Sequence, residues 1–170
     1  MSKSQFKQYG LERHFHDEYT ILKKVGYGTF GEVSKAKNKK SGEFYAVKSA
    51  LNDSTSVENE ASILRRLQHN HIVKFVDFFK ESNDDVYLVM EFCTGGELYD
   101  VFTSMKYVPT VWSENTIKKI AYEIMLAIDY CHSKGIAHRD LKPQNIMVKE
   151  KWSVMGDFPS IKIVDFGGAA

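Results

Sequence analysis

The 170-residue sequence predicts an α+β fold in two lobes. Strand-like patterns dominate as far as residue 94, and helical patterns dominate after it. The change falls at Gly95-Gly96, which reads as a flexible joint between the lobes. The composition supports a packed soluble domain: 43% apolar, 26% charged and 13% aromatic residues.

The elements follow in order. Residues 1–18 read as a polar leader, whose His14 and His16 are expected to be solvated. Tyr19 and Ile21 begin a first strand that runs into a glycine-punctuated turn. Glu32–Ala36 and Phe44–Lys48 are the next two strands, separated by a Ser41-Gly42 turn, and three strands joined this way imply an antiparallel sheet. Residues 56–68 read as a helix, because Thr55-Ser56-Val57-Glu58 fits a capping box and Glu60, Leu64 and Leu67 share one face. Strands at Ile72–Phe79 and Val86–Phe92 flank the polar turn 81–85. A short helix is expected over 97–105. A long one is expected from Glu114 to Ser133, capped by Ser113 and stopped at Gly135. Ile117, Ile120, Ile124, Ala127, Ile128 and Cys131 mark its buried stripe, and Ile161–Val164 is the clearest late strand.

Several function classes are excluded at this stage. A net charge of +1, from 23 basic and 22 acidic residues, gives no reason to expect nucleic acid as a partner. No stretch is long and apolar enough for a membrane anchor, the first twenty residues hold no signal peptide, and Ser2 excludes myristoylation. Cys93 and Cys131 are too few for a disulfide framework and match no zinc spacing, so a cytoplasmic location is expected. Asn52-Asp53-Ser54 fits a glycosylation sequon but reads as loop chemistry.

The residues that carry chemistry come in a fixed order. Gly26-Tyr27-Gly28-Thr29-Phe30-Gly31 is a GxGxxG followed by a strand, which rules out the dinucleotide βαβ unit; a glycine hairpin that lets backbone N–H groups approach phosphates fits instead. Lys48 ends the third strand. Glu60 points a carboxylate at a packed face, where it needs a cation, and Lys48 is the obvious one. His138-Arg139-Asp140-Leu141-Lys142-Pro143-Gln144-Asn145 follows, then Asp165-Phe166-Gly167 after an apolar strand.

With these motifs the sequence resembles the eukaryotic protein kinase family from about Tyr19 to its end. The resemblance implies a two-lobe kinase fold: an antiparallel five-stranded N-lobe with one helix over 19–94, then the first part of a helical C-lobe over 95–170. It implies ATP and Mg²⁺ as cofactors and a protein Ser/Thr hydroxyl as substrate. Val25, Gly26, Gly28, Gly31 and Val33 resemble the loop over the phosphates, and Lys48 with Glu60 the phosphate-holding pair. Met90 resembles the gatekeeper, Glu91 and Cys93 the hinge, and Glu97 the ribose contact, with Val33, Ala46 and Met147 around adenine. Asp140 resembles the catalytic base, Lys142 the lysine of the serine/threonine branch, and Asn145 and Asp165 the metal ligands. The segment Val89–Leu98 is similar to that of calcium-dependent and calcium/calmodulin-regulated kinases.

Three departures stand out. The family continues into an activation segment and further C-lobe helices. The stripe of helix 114–133 is therefore expected to be exposed, awaiting a C-terminal region or a covering partner. Gly168 stands where the family has a larger apolar residue. The segment 149–160, with Trp152 and Phe158, is longer than usual.

Overall fold

The computed structural model describes residues 13–28, 31–50, 54–81, 84–105, 112–152 and 156–170. Residues 1–12 of the expected leader, Thr29-Phe30 of the glycine segment, Asn52-Asp53 of the sequon, Ser82-Asn83 of the polar turn and residues 153–155 lie outside the described residues.

Strands β1 (Tyr19–Gly28), β2 (Gly31–Asn38), β3 (Phe44–Ala50), β4 (Phe75–Lys80) and β5 (Val86–Glu91) form one antiparallel sheet in the order β1-β2-β3-β5-β4. The β2–β3 turn uses Gly42 at φ 77°, a conformation open to glycine. The sheet is covered on both faces. Along β5, Tyr87 and Val89 enter one apolar cluster while Val86, Leu88 and Met90 enter the other, which is why the strand reads as a continuous apolar run.

The first cluster revises the leader. His14 and His16 are exposed as expected, but helix α1 (Phe15–Glu18) seats Phe15 fully buried on the sheet. Its ring stacks on Tyr87 at 4.2 Å and on Tyr19 at 5.4 Å, and meets Phe79 edge-on. Arg13 donates to both Glu18 and Asp77, and Glu81 accepts from the Phe15 backbone N–H and pairs with His14.

Helix α2 (Thr55–Leu64) covers the other face. It begins one residue earlier than expected, with Ser54 as N-cap, and ends earlier too. The apolar period continues to Leu67 because the chain tightens into i→i+3 bonds, Arg66 N–H to Ile63 and Leu67 N–H to Leu64. The expected capping box is absent in that form. Glu58 accepts from the Ser54 hydroxyl at 2.6 Å and from Lys80 at 2.8 Å.

Beyond β5, α3 (Leu98–Met105) and α4 (Glu114–Ser133) precede a two-stranded ribbon of β6 (Ile146–Val148) and β7 (Ile161–Ile163). Gly95-Gly96 is clasped rather than loose. Thr94 and Gly95 donate to the Lys149 and Val148 carbonyls, Val148 returns a bond to Gly96, and a Cβ at Gly95 would strike the Val148 and Glu150 carbonyls.

The α4 bounds match the expected ones. The Ser113 hydroxyl accepts from Thr116 N–H, and Gly135 stands past the end at φ 70°. We expect Ser113→Ala to cost about 1 kcal/mol in urea unfolding. An unchanged midpoint would remove the cap from the account.

The expected exposed stripe on α4 is corrected. Ile120, Ala127 and Cys131 are buried against the ribbon, Ile124 and Ile128 are half-buried, and only Ile117 of the six is exposed. The large apolar side chains that α4 does expose are Ile117, Tyr122, Met125 and Leu126. Glu123 is buried among the stripe residues and accepts from Ile161 N–H at 2.8 Å. Among the described residues, no helix is long and apolar enough to cross a membrane.

Candidate active site

A cleft of about 600 Å³ lies between the five-stranded sheet and the ribbon. Strand register builds its roof: Val33 pairs with Lys48 across β2–β3, and Ala46 with Met90 across β3–β5. The chain then leaves β5 through Glu91, Phe92 and Cys93 along the back of the cleft, and Met147 of β6 rises from the floor. Apolar walls with a few converging polar groups are the usual make-up of a ligand pocket.

Lys48 is the hub. Its ammonium donates to Glu60 Oε2 at 2.6 Å and to Asp165 Oδ1 at 2.7 Å, and its side chain is 3% exposed. The other Glu60 oxygen accepts from Phe166 N–H at 3.0 Å. Burial by itself favours a neutral amine at Lys48, but the charges of Glu60 and Asp165 and their hydrogen bonds outweigh it and raise the pKa. Burial pushes the Glu60 carboxyl up, against the pull of Lys48. The Lys48 ammonium faces two carboxylates, which favour its charged form.

Facing Lys48 is a loop built around His138. Its Nε2 donates to the Val164 carbonyl at 3.0 Å and its Nδ1 accepts from Asp140 N–H at 3.3 Å, so one neutral tautomer serves both. Its ring meets the buried Phe166 edge-on at 4.6 Å. Arg139 and Asp165 both hold left-handed backbone, φ 67° and 62°, strained for non-glycine residues and clustered at the cleft. These turns set out three groups. The Asp140 carboxylate pairs with Lys142 at 2.8 Å. Asn145 Nδ2 donates to the Asp140 backbone carbonyl at 2.8 Å and to its carboxylate at 3.0 Å. The Lys142 bond, helped by Asn145, holds the Asp140 carboxyl below the usual carboxylate range, so it is ionised at neutral pH.

Of the residues singled out in the sequence, Val25, Gly26, Val33, Ala46, Lys48, Glu60, Met90, Glu91, Cys93, Glu97, Lys142, Asn145, Met147 and Asp165 line the cleft. Asp140 lies beside it, bonded to two lining residues. The Gly28 backbone pairs with Gly31 at the tip of the hairpin. Gly31 is not a lining residue: a Cβ there would come within 2.6 Å of the Ser49 carbonyl, so its need for glycine is close packing of β2 on β3.

Asp100, Gln144, Val73 and Val164 also line the cleft and were not singled out. The signal for Asp100 was its place one helical turn after Glu97. Burial first, and the Asp100 charge second, raise the Glu97 carboxyl. Burial pushes the Cys93 thiol up to about 12, so it is a neutral wall rather than a nucleophile.

The acids of α2 separate by environment. Glu60 is buried, whereas the Glu58 side chain is 38% exposed and pairs with Lys80. Glu58→Gln is expected to shift the urea midpoint less than Glu60→Gln does, and to leave the cleft intact. The reverse order would mean that the helix register is wrong.

A magnesium ion suits the donors present. Asp165 offers a carboxylate and Asn145 an amide oxygen, both hard ligands. Among the described residues no three His, Cys, Asp or Glu side chains gather into a protein-only metal cage. Mg²⁺ commonly takes one or two protein oxygens and completes its shell from phosphates and water.

Comparison with known proteins addresses the same residues. The protein kinase domain matches from residue 19 to residue 170. Calcium-dependent protein kinase 5 of Plasmodium berghei is 38% identical over 151 residues, covering 86% of this chain and 25% of that protein. CDPK-related kinase 1 of Arabidopsis thaliana is 37% identical, covering 95% of this chain and 28% of its own length. CBL-interacting serine/threonine-protein kinase 20 of the same plant is 36% identical, over 90% and 34%. The chain thus spans about a quarter to a third of these relatives. The matched stretch takes in every strand of the sheet, the Lys48–Glu60 pair and the Asp140 and Asp165 loops, and on that footing the chain belongs to the protein kinase domain family.

Proposed function

We propose that this site performs ATP-dependent phosphoryl transfer to protein serine and threonine hydroxyls. The observation that carries the reading is Lys48 bridging Glu60 and Asp165 on one side of a cleft whose other side presents Asp140, Lys142 and Asn145. ATP with Mg²⁺ supplies the activated phosphoryl group and neutralises its charge. The protein's share is positioning and electrostatics. Val33, Ala46 and Met147 hold a flat base between apolar surfaces, and the backbone of 91–93 offers its polar edge to that base. Glu97 would meet the ribose, and Val25 and Gly26 would border the phosphates. Lys48 turns its charge to the phosphate oxygens, kept in place by Glu60. Asn145 and Asp165 would hold the metal.

Asp140, ionised and oriented by Asn145, accepts the hydrogen bond of the substrate hydroxyl. As the new P–O bond forms and the bond to the leaving diphosphate breaks, the hydroxyl proton passes to the Asp140 carboxylate. Lys142 stands against the same carboxylate and places a cation beside the transferred group. Relatives described by name as serine/threonine or calcium-dependent kinases support Ser/Thr as the acceptor. We also propose a cytoplasmic location, supported by two buried cysteines that stand free.

Radiolabelled ATP, offered with serine, threonine and tyrosine peptides, tests the reading. The preparations are the 170-residue chain and the same chain continued by the C-terminal part of a related kinase domain. We expect both to bind nucleotide and the continued chain to label serine and threonine peptides. Labelling confined to tyrosine would overturn the acceptor class. A folded continued chain that binds ATP and labels nothing would favour a nucleotide-binding regulatory module.

A further inference from the structure

Lys162 is a buried cation that the chemistry above does not use. It sits in the middle of β7, between the fully buried Ile161 and Ile163, with its side chain 9% exposed. Its ammonium donates to Glu91 Oε1 at 2.6 Å and to the Ile72 carbonyl at 3.3 Å. Replacing a buried ion pair by well-packed apolar groups is often neutral or stabilising, so stability alone is a weak account of it.

The pair joins parts of the cleft that the chain keeps far apart. Glu91 ends β5 and opens the segment 91–93 along the back of the cleft. It is fixed twice more: its carboxylate accepts from Lys74 N–H at 2.7 Å, and its own N–H donates to the Lys74 carbonyl at 3.1 Å. On the other side, Lys162 is three residues before Asp165 on a strand that is itself tied down. Ile163 N–H donates to His71, and Val73 N–H donates back to Ile163. One ammonium therefore links the hinge, the loop ahead of β4 and the strand that delivers Asp165.

We propose that Lys162 is a positioning residue for the nucleotide, holding the hinge through Glu91 at a fixed distance from Asp165. The inference rests on the nucleotide reading of the cleft. The base lies between the hinge and Met147, which pairs with Lys162 across β6–β7, and the phosphates reach Asp165, so the base site as well as the phosphate site depends on that spacing, and misplacement by about 1 Å is costly. The link acts at the base end, so its loss weakens adenosine as well as ATP. Loss of Lys48 acts at the phosphate end and weakens ATP alone.

Calorimetric titration of the full chain with adenosine, and with ATP plus Mg²⁺, tests this on Lys162→Met, Lys162→Arg, Glu91→Gln and the double variant Lys162→Met/Glu91→Gln. We expect Lys162→Met and Glu91→Gln each to weaken both ligands by about tenfold, the effect of a small positional error. The double variant should be no worse than either single one, and Lys162→Arg should recover most of the affinity. Glu91 is 25% exposed, so Glu91→Gln carries the test if Lys162→Met does not fold. A lowered melting temperature with unchanged adenosine affinity would make the pair merely structural and overturn the proposal. So would additive losses in the double variant. A folded wild-type chain that binds neither ligand would overturn the reading of the site itself, a result distinct from both.

Discussion

We expect Asp140→Asn to lower turnover by about 10²–10⁴-fold, the usual weight of a general base, in the chain continued by the C-terminal part of a related kinase domain. The substitution keeps the shape and removes the charge. Asn145 and Lys142 then face an amide instead of a carboxylate, and the substrate hydroxyl loses its acceptor. Asp140 lies outside the cleft lining, so the KM for ATP should change little. A fall in kcat with KM held is the mark of a group that acts in the transition state. The charge also has a pH consequence. The Asp140 carboxyl is held low chiefly by Lys142, so its base form persists below the ordinary carboxylate range. Removing that cation with Lys142→Met should move the acid limb of kcat/KM to higher pH. A continued chain indifferent to Asp140→Asn would make the residue a loop support.

Lys48→Met removes the cation shared by two carboxylates. The side chains of Glu60 and Asp165 are 1% and 12% exposed, so their charges are costly without it. Breaking a buried pair by deleting one partner costs about 3–5 kcal/mol, and solvent in the cleft places the expected loss at the lower end. For a chain of this size that is a fall of roughly 6–12 °C in melting temperature. ATP affinity should fall while adenosine affinity stays, because the lysine acts at the phosphates. Glu60→Gln in the Lys48→Met background should recover part of the lost stability, since a neutral amide no longer needs the cation. Full stability in Lys48→Met with wild-type ATP affinity would contradict both halves.

What the sequence made legible was local, and what it concealed was distant. Helix α4 could be bounded to the residue because Ser113 and Gly135 carry their signals at its ends. The Glu60 carboxylate on the packed face of α2 already called for a partner, and Lys48 is that partner. Strand β4 was drawn too long because Ile72 and Val73 are as apolar as a strand requires, yet they pair with Ile163 of β7 rather than with β5. Phe15 looked like part of a polar tail, since two of the rings that bury it, Phe79 and Tyr87, lie in β4 and β5, more than sixty residues away. Nothing local in the sequence marks Glu123 and Lys162 as buried charges, for the same reason. Their partners, Ile161 N–H and Glu91, arrive only with the tertiary fold.

Titration of the folded chain with ATP, with and without Mg²⁺, on wild type and Asp165→Asn, tests most directly whether the cleft is a metal–nucleotide site. The wild type should bind ATP more tightly with Mg²⁺, and at one hundred times the dissociation constant it should gain about 2.7 kcal/mol of stability. Asp165→Asn should lose the Mg²⁺ enhancement. ATP binding indifferent both to Mg²⁺ and to Asp165, or no binding by a chain shown to be folded, would contradict it.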